Sequence, residues 1–200
     1  MAHHSLVMRR RIAELLISAP CQRIDFRWGA EHVMGAQYSA LAMSLNGSSP
    51  HRLQEEIGHV EGGLARYIIG RNTIRVPMEG FGVGQSEYAA YERMSIVHEC
   101  THAVFDMARR HPTTNALSNE IMAYIGGALF NLNAGRPYHN QSDQLWVIAD
   151  RIAAGIPPAG GVIGPEADVL ALRNAILADP TYAHLRHNPR LRWHNDGVAL

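Results

Sequence analysis

The stretch Val97-His98-Glu99-Cys100-Thr101-His102-Ala103 decides how the rest of the chain reads. It carries an H-E-x-x-H pentad inside an apolar-periodic segment. On an α-helix, residues four apart lie one turn above each other, so His98 and His102 project from one face and can hold two corners of a tetrahedral metal site. Glu99 lies beside them, where a carboxylate can take a proton from metal-activated water and pass it to a leaving amine. Cys100 points away from that face and reads as a packed thiol rather than a ligand. The bland alternative is a surface helix with two solvated histidines. Against it, Tyr91, Met94, Val97, Thr101, Val104 and Ala108 are spaced to seat this helix in a core.

Working outward, Ser86 is a good N-cap for a helix over 87–109, with Glu87 in its first turn and Arg109-Arg110 at its end, as the helix dipole favours. After a break at 111–115, a second helix is expected over 116–132, stopped by Asn133-Ala134-Gly135-Arg136-Pro137. Glu120 lies in its first turns. The distance in sequence from His102 suffices to finish one helix, turn, and bring a second back across the metal, so Glu120 is the candidate third ligand; a surface glutamate is the alternative. Ala123 and Gly127 are small and allow the two helices to approach closely.

Upstream, 64–69 and 72–77 are β-branched and aromatic segments separated by Gly70-Arg71, which suggests a hairpin. Thr73, Ile74, Arg75 and Val76 are expected to form an edge strand that borders the cleft and aligns an extended peptide, or else to complete a small sheet. The glycine-rich run 78–85 lacks the Gly-Lys-Ser/Thr ending of a phosphate loop and reads as a loop over the cleft mouth or a connector. Toward the N-terminus, helices are expected over 5–18, 30–45 and 51–60, with a short strand within 21–28. The Arg9-Arg10-Arg11 cluster reads as a solvated helix face. Toward the C-terminus come the polar patch Tyr138-His139-Asn140, an amphipathic segment over 141–154, a Gly/Pro linker over 155–164, a helix over 165–177 and a tail rich in His, Arg and Pro.

A hydrophobic content of 46% and a formal net charge of zero fit a single α+β, mostly helical domain over 1–200. Within it, 1–61 reads as a helical scaffold, 62–135 as hairpin plus metal-site helices, and 136–200 as a helical part with a tail. Balanced charge gives no electrostatic case for nucleic acid or anionic lipid. No apolar run is long enough for a membrane span, and the N-terminus leads into arginines rather than a signal-peptide core, so a cytoplasmic start is expected, with signal-independent export left open. Two cysteines make no disulfide framework. The sequence leaves the oligomeric state open.

His98-Glu99-x-x-His102 followed by Glu120 resembles the gluzincin branch of zinc metallopeptidases. The resemblance implies one Zn2+ held by His98, His102 and Glu120, Glu99 as catalytic base, and a peptide or protein substrate. It also implies a zincin-like core, with a small sheet or hairpin packed on the H-E-x-x-H helix and a second helix carrying the third ligand. The wider run from His98 to Asp106, with Asn119 to Tyr124, is similar to small bacterial proteins with an H-E-x-T-H-A-x-x-D core, and in layout to the repressor-cleaving ImmA/IrrE-type peptidases of the cytoplasm. Many gluzincins place an aspartate four residues after the third ligand, where this chain has Tyr124. Asp106, one turn past His102, is the candidate for orienting a ligand histidine, or else for capping a neighbouring loop. By chemistry, Tyr138, His139, Tyr182 and His184 are candidates for stabilising an oxyanion. Two other outcomes fit the same motif. One is a metal-stabilised interaction module or inactive relative, closed by a fourth ligand such as His139 or His184. The other is a delivered bacterial effector using the same peptidase chemistry.

Overall fold

Along the chain, the elements are α1 (Leu6–Leu16), α2 (Ala19–Gln22), β1 (Asp25–Trp28), β2 (Glu31–Met34), α3 (Gly35–Asn46), β3 (Gln54–Ile57), β4 (Arg66–Ile68), β5 (Thr73–Val76), α4 (Glu87–Met107), β6 (Thr113–Asn115), α5 (Ala116–Asn133), α6 (Gln144–Ala154), β7 (Gly161–Val162), α7 (Glu166–Ala178), α8 (Ala183–His187) and β8 (Arg192–His194). The computed structural model describes residues 2–49, 51–61, 64–107, 113–136, 143–164, 166–194 and 197–198. The fold is α+β and mostly helical, and its buried apolar side chains form one cluster reaching from Met8 to Val198. No helix among the described residues is long and apolar enough to cross a membrane.

Helices α4 and α5 are the centre of the molecule. The Ser86 hydroxyl accepts from the Ala89 N–H (3.1 Å) to start α4, and the Asn115 Oδ1 accepts from the Ser118 N–H (2.9 Å) to start α5. Both are ordinary caps that satisfy donors a helix would otherwise leave open. From Ala116 to Asn131 only Ser118 of α5 escapes full burial, the state of a helix that is apolar all round. Its glycines let it sit that deep. A Cβ on Gly127 would lie 3.0 Å from the Met94 carbonyl oxygen of α4 and 2.9 Å from the Trp146 ring of α6, while one on Gly126 would meet Thr101 Oγ1 at 2.7 Å.

The sheet beside α4 runs β3-β5-β4, with β3 parallel and β4 antiparallel to β5. The expected hairpin is present as β4 and β5, joined by a 3-10 turn at Ile69–Arg71 and by Asn72 in the left-handed region (φ 48). Two expectations fail here. Residues 54–57 form a strand and not a helix, because Glu55 and Glu56, which look like surface residues, are buried against arginines: Arg9 Nε is 2.7 Å from Glu55 Oε2 and Arg75 Nη2 is 2.7 Å from Glu56 Oε2. Thr73, Ile74, Arg75 and Val76 are therefore not an edge. β5 is the middle strand, hydrogen-bonded on both sides. The outer side of β3 is closed by His3, which exchanges both backbone hydrogen bonds with Ile57, so the open edge among the described residues is β4.

Elsewhere, β2 intervenes before α3, which begins later than expected, and it pairs with β1 around Gly29 (φ 59). The Gly/Pro segment 155–164 is no loose linker: β7 pairs with β1 and both Ile156 and Ile163 are buried. The three adjacent arginines are individually engaged, Arg9 by Glu55, Arg10 by Glu14 and Arg11 by the Glu79 carbonyl. The loop 78–85 is a connector tied to α4, since Gly82 N–H donates to Glu92 and Arg93 donates to the carbonyls of Gly82 and Gly84.

Glu55 is fully buried, holding the Arg9 guanidinium and the Ser5 N–H. Glu55→Ala leaves a largely buried arginine without its counter-charge, and urea denaturation is expected to show a loss of about 3 kcal/mol; a loss below about 0.5 kcal/mol would place the pair with ordinary surface bridges. Gly127→Ala tests the helix contact by sign. Alanine alone should favour the helix by about 1 kcal/mol, so a net loss of stability, roughly 1–2 kcal/mol, shows that the clash with the Met94 carbonyl and Trp146 dominates.

Candidate metal centre

The pentad's geometry follows from helix α4. His98 and His102, one turn apart, bring their Nε2 atoms to 3.2 Å with the rings edge-on. The carboxylate of Glu120, from the second turn of α5, places Oε2 3.4 Å from His98 Nε2 and 3.7 Å from His102 Nε2. Glu99 stands to one side, with Oε1 3.9 Å from His98 Nε2 and Oε2 accepting the backbone N–H of Tyr67 in β4 at 2.7 Å. Donor atoms of His98, Glu99 and His102 all lie within 4.8 Å of one another, a group able to hold a metal ion.

The donor set fits a cation better than it fits itself. His102 Nδ1 is 2.6 Å from Asn119 Oδ1; with the amide oxygen accepting, the proton is on Nδ1 and the Nε2 lone pair faces the site. Burial lowers the His98 pKa and pushes His102 down to about 4, so both imidazoles are neutral near pH 7. Among the described residues, Glu120 Oε2 is buried with no hydrogen-bond partner. His98 Nδ1 is buried with no hydrogen-bond partner among the described residues; with its proton there, three lone-pair atoms converge and a cation between them satisfies all three, and with its proton on Nε2 it donates to His102 Nε2 at 3.2 Å. A tetrahedral ion with bonds of about 2.0–2.1 Å holds its donors roughly 3.3–3.4 Å apart, close to the three separations found.

Around the donors is an aromatic wall. Tyr124 and Trp146 pack edge-on against His98, at ring-centroid distances of 4.6 and 5.8 Å, and Trp193 of β8 packs against His102 at 5.2 Å. The Tyr124 and Tyr182 hydroxyls are 3.0 Å apart, and Tyr182 is close enough to Glu120 to lower its pKa against the upward push of burial. Burial holds both tyrosines well above the ordinary tyrosine range, so both keep their hydroxyl protons at neutral pH. Burial also raises Glu99 to about 7, opposed first by His98; Glu120 adds to the rise, and the Tyr67 N–H and Arg66 oppose it.

Of the residues expected from sequence, the structure brings together His98, Glu99, His102, Glu120, Tyr124 and Tyr182. His184 is exposed but still felt electrostatically by Glu120. Tyr138 and His139 lie outside the described residues. Asp106 does not take the histidine-orienting role: its Oδ2 accepts from the Tyr67 hydroxyl (2.6 Å) and its Oδ1 from the Gly197 N–H (3.0 Å), and Asn119 holds His102 instead. Asn119, Trp146, Trp193 and Tyr67 were not anticipated. Only Asn119 had a local signal, as a polar residue next to the third ligand in an otherwise apolar helix. The chain matches no model of a known protein family, no curated protein and no solved structure, so this geometry is the basis for its functional reading.

Proposed function

We propose that the protein is a zinc-dependent metallopeptidase of gluzincin type with a zincin-like core, in which His98, His102 and Glu120 hold one Zn2+ and Glu99 is the general base. The observation that carries the reading is the convergence of two imidazole Nε2 atoms and a buried Glu120 carboxylate oxygen that has no hydrogen-bond partner among the described residues, with a second carboxylate beside them. Bound there, zinc supplies Lewis acidity, polarising a carbonyl and lowering the pKa of water toward ~7. His102 is held in its ligating tautomer by Asn119. Glu99 takes the proton of the attacking water on the carboxylate and returns it to the amide nitrogen as the C–N bond breaks. Tyr182, protonated and beside Glu120, is the described side chain best placed to donate to a developing oxyanion.

A closed structural site needs a fourth protein ligand. The peptidase reading is favoured because one Glu99 oxygen is taken by the Tyr67 N–H at 2.7 Å and the other lies 3.9 Å from His98 Nε2, farther off than the Glu120 oxygen at 3.4 Å. Glu99→Gln is expected to retain zinc and lose peptide cleavage by roughly 10²–10⁴-fold; comparable turnover in the variant would reject Glu99 as base. Competition against a chelator measures the ligands: Asn119→Ala should weaken zinc binding by about 10–100-fold, as loss of a ligand-orienting partner does. Glu120→Ala should weaken it further, and unchanged affinity there would remove the third ligand and with it the gluzincin assignment.

A further inference from the structure

Glu99 and Asp106 are seven residues apart on α4, two turns of helix and about 10.5 Å along its axis, so they share one face. One residue of β4 touches both. Tyr67 donates its backbone N–H to Glu99 Oε2 (2.7 Å) and its side-chain hydroxyl to Asp106 Oδ2 (2.6 Å). The N–H is the outward one of the strand. In the β4–β5 ladder Tyr67 opposes Ile74, and a donor that reaches Glu99 is turned away from β5. Asp106 is itself fixed. It is 1% exposed, its other oxygen accepts the Gly197 N–H (3.0 Å), and Asn72 closes the ring by accepting from the Tyr67 hydroxyl (3.2 Å) and donating to the Gly197 carbonyl (3.2 Å).

We propose that Tyr67 is a staple that positions Glu99: its hydroxyl, locked by Asp106, Asn72 and Gly197, fixes the backbone N–H that holds one oxygen of the Glu99 carboxylate, leaving the other turned toward the donor cluster. The proposal rests on Glu99 being the base. Tyr67 and Asp106 are positioning residues, and the C-terminal Gly197 belongs to the support of the site. A backbone donor held at both ends of its residue has little freedom to follow the carboxylate away, which is the preorganisation a general base needs.

The test separates the staple from the chemistry. Tyr67→Phe removes the hydroxyl and keeps ring and backbone. Measured by NMR on the zinc-loaded protein, the amide of position 67 is expected to exchange with solvent about tenfold faster relative to the amides of α4 and β5, as loss of one buried hydrogen bond predicts. Zinc content should be unchanged. On a quenched peptide cleaved by the wild-type protein, kcat should fall by about the same factor at constant KM. Asp106→Asn, which keeps an oxygen acceptor, should shift exchange in the same direction by less, and Glu99→Ala should release the same amide. Unchanged exchange at position 67 in Tyr67→Phe overturns the staple, as does faster exchange with undiminished kcat. Full activity of Glu99→Gln, by contrast, defeats the underlying assignment of the base whatever the exchange result.

Discussion

The molecule is organised around a convergence of polar atoms. Two imidazole nitrogens and a carboxylate oxygen meet within 3.7 Å in a buried space, and while His102 keeps its proton on the Asn119 side the one donor the cluster can muster is a proton on His98 Nε2, which cannot serve both neighbours at once. Left alone, such a cluster drives its members apart or takes up a proton. It persists here because each member is held from outside: His102 by Asn119, His98 by the Tyr124 and Trp146 rings, Glu120 by its place on the most deeply buried helix of the fold. The scaffold thereby keeps together a histidine and carboxylate cluster able to hold a metal ion.

That imposition depends on how closely α5 lies on α4. Gly126 and Gly127 stand where the two helices and α6 meet, and a single added carbon at either would strike Thr101, the Met94 carbonyl or Trp146. Trp146 also packs on His98, so the same contact that sets helix spacing sets the orientation of a ligand. Glycine in a helix interior costs conformational entropy. Two in succession in the centre of α5 show that spacing outweighs propensity at this point. The aromatic residues pack directly on the histidines, Tyr124 and Trp146 on His98 and Trp193 on His102, and such low-dielectric surroundings strengthen the electrostatic interactions among the donors.

Much of this was legible in sequence, for an identifiable reason. His98, Glu99, His102 and Glu120 lie on two long helices with strong periodicity, caps at Ser86 and Asn115, and a clear break between them, so local signals sufficed to bring these four side chains together. The hairpin of β4 and β5 was also local. What escaped depends on distant partners. The strand at Gln54–Ile57 contains two glutamates whose burial makes sense only beside Arg9 and Arg75, so its composition misread as helix. Once β3 pairs with β5, the segment Thr73–Val76 loses its free edge, a property of topology that its own residues do not encode. Asp106 satisfied the spacing rule for orienting a histidine, yet its partners come from β4 and from the chain's far end. Trp193 reaches the site from the tail, beyond the range of any periodicity; Tyr182, from the same tail, is singled out by its chemistry alone.

The position of Glu99 illustrates why some functional parts leave no trace in a sequence. Its pKa is pulled upward by burial and by Glu120 and downward by His98, the Tyr67 N–H and Arg66. A cation between His98, His102 and Glu120 would add a further downward pull, because positive charge favours the ionised carboxylate. Orientation, by contrast, is set by a backbone N–H, that of Tyr67 at 2.7 Å. Every residue except proline offers that donor, so its presence at position 67 constrains nothing in the residue type. The constraint appears one step removed, in the tyrosine hydroxyl that ties β4 to Asp106 of α4 and in that aspartate's place two turns from Glu99. An acid that does not touch the histidines is bonded to the same residue that holds the Glu99 carboxylate.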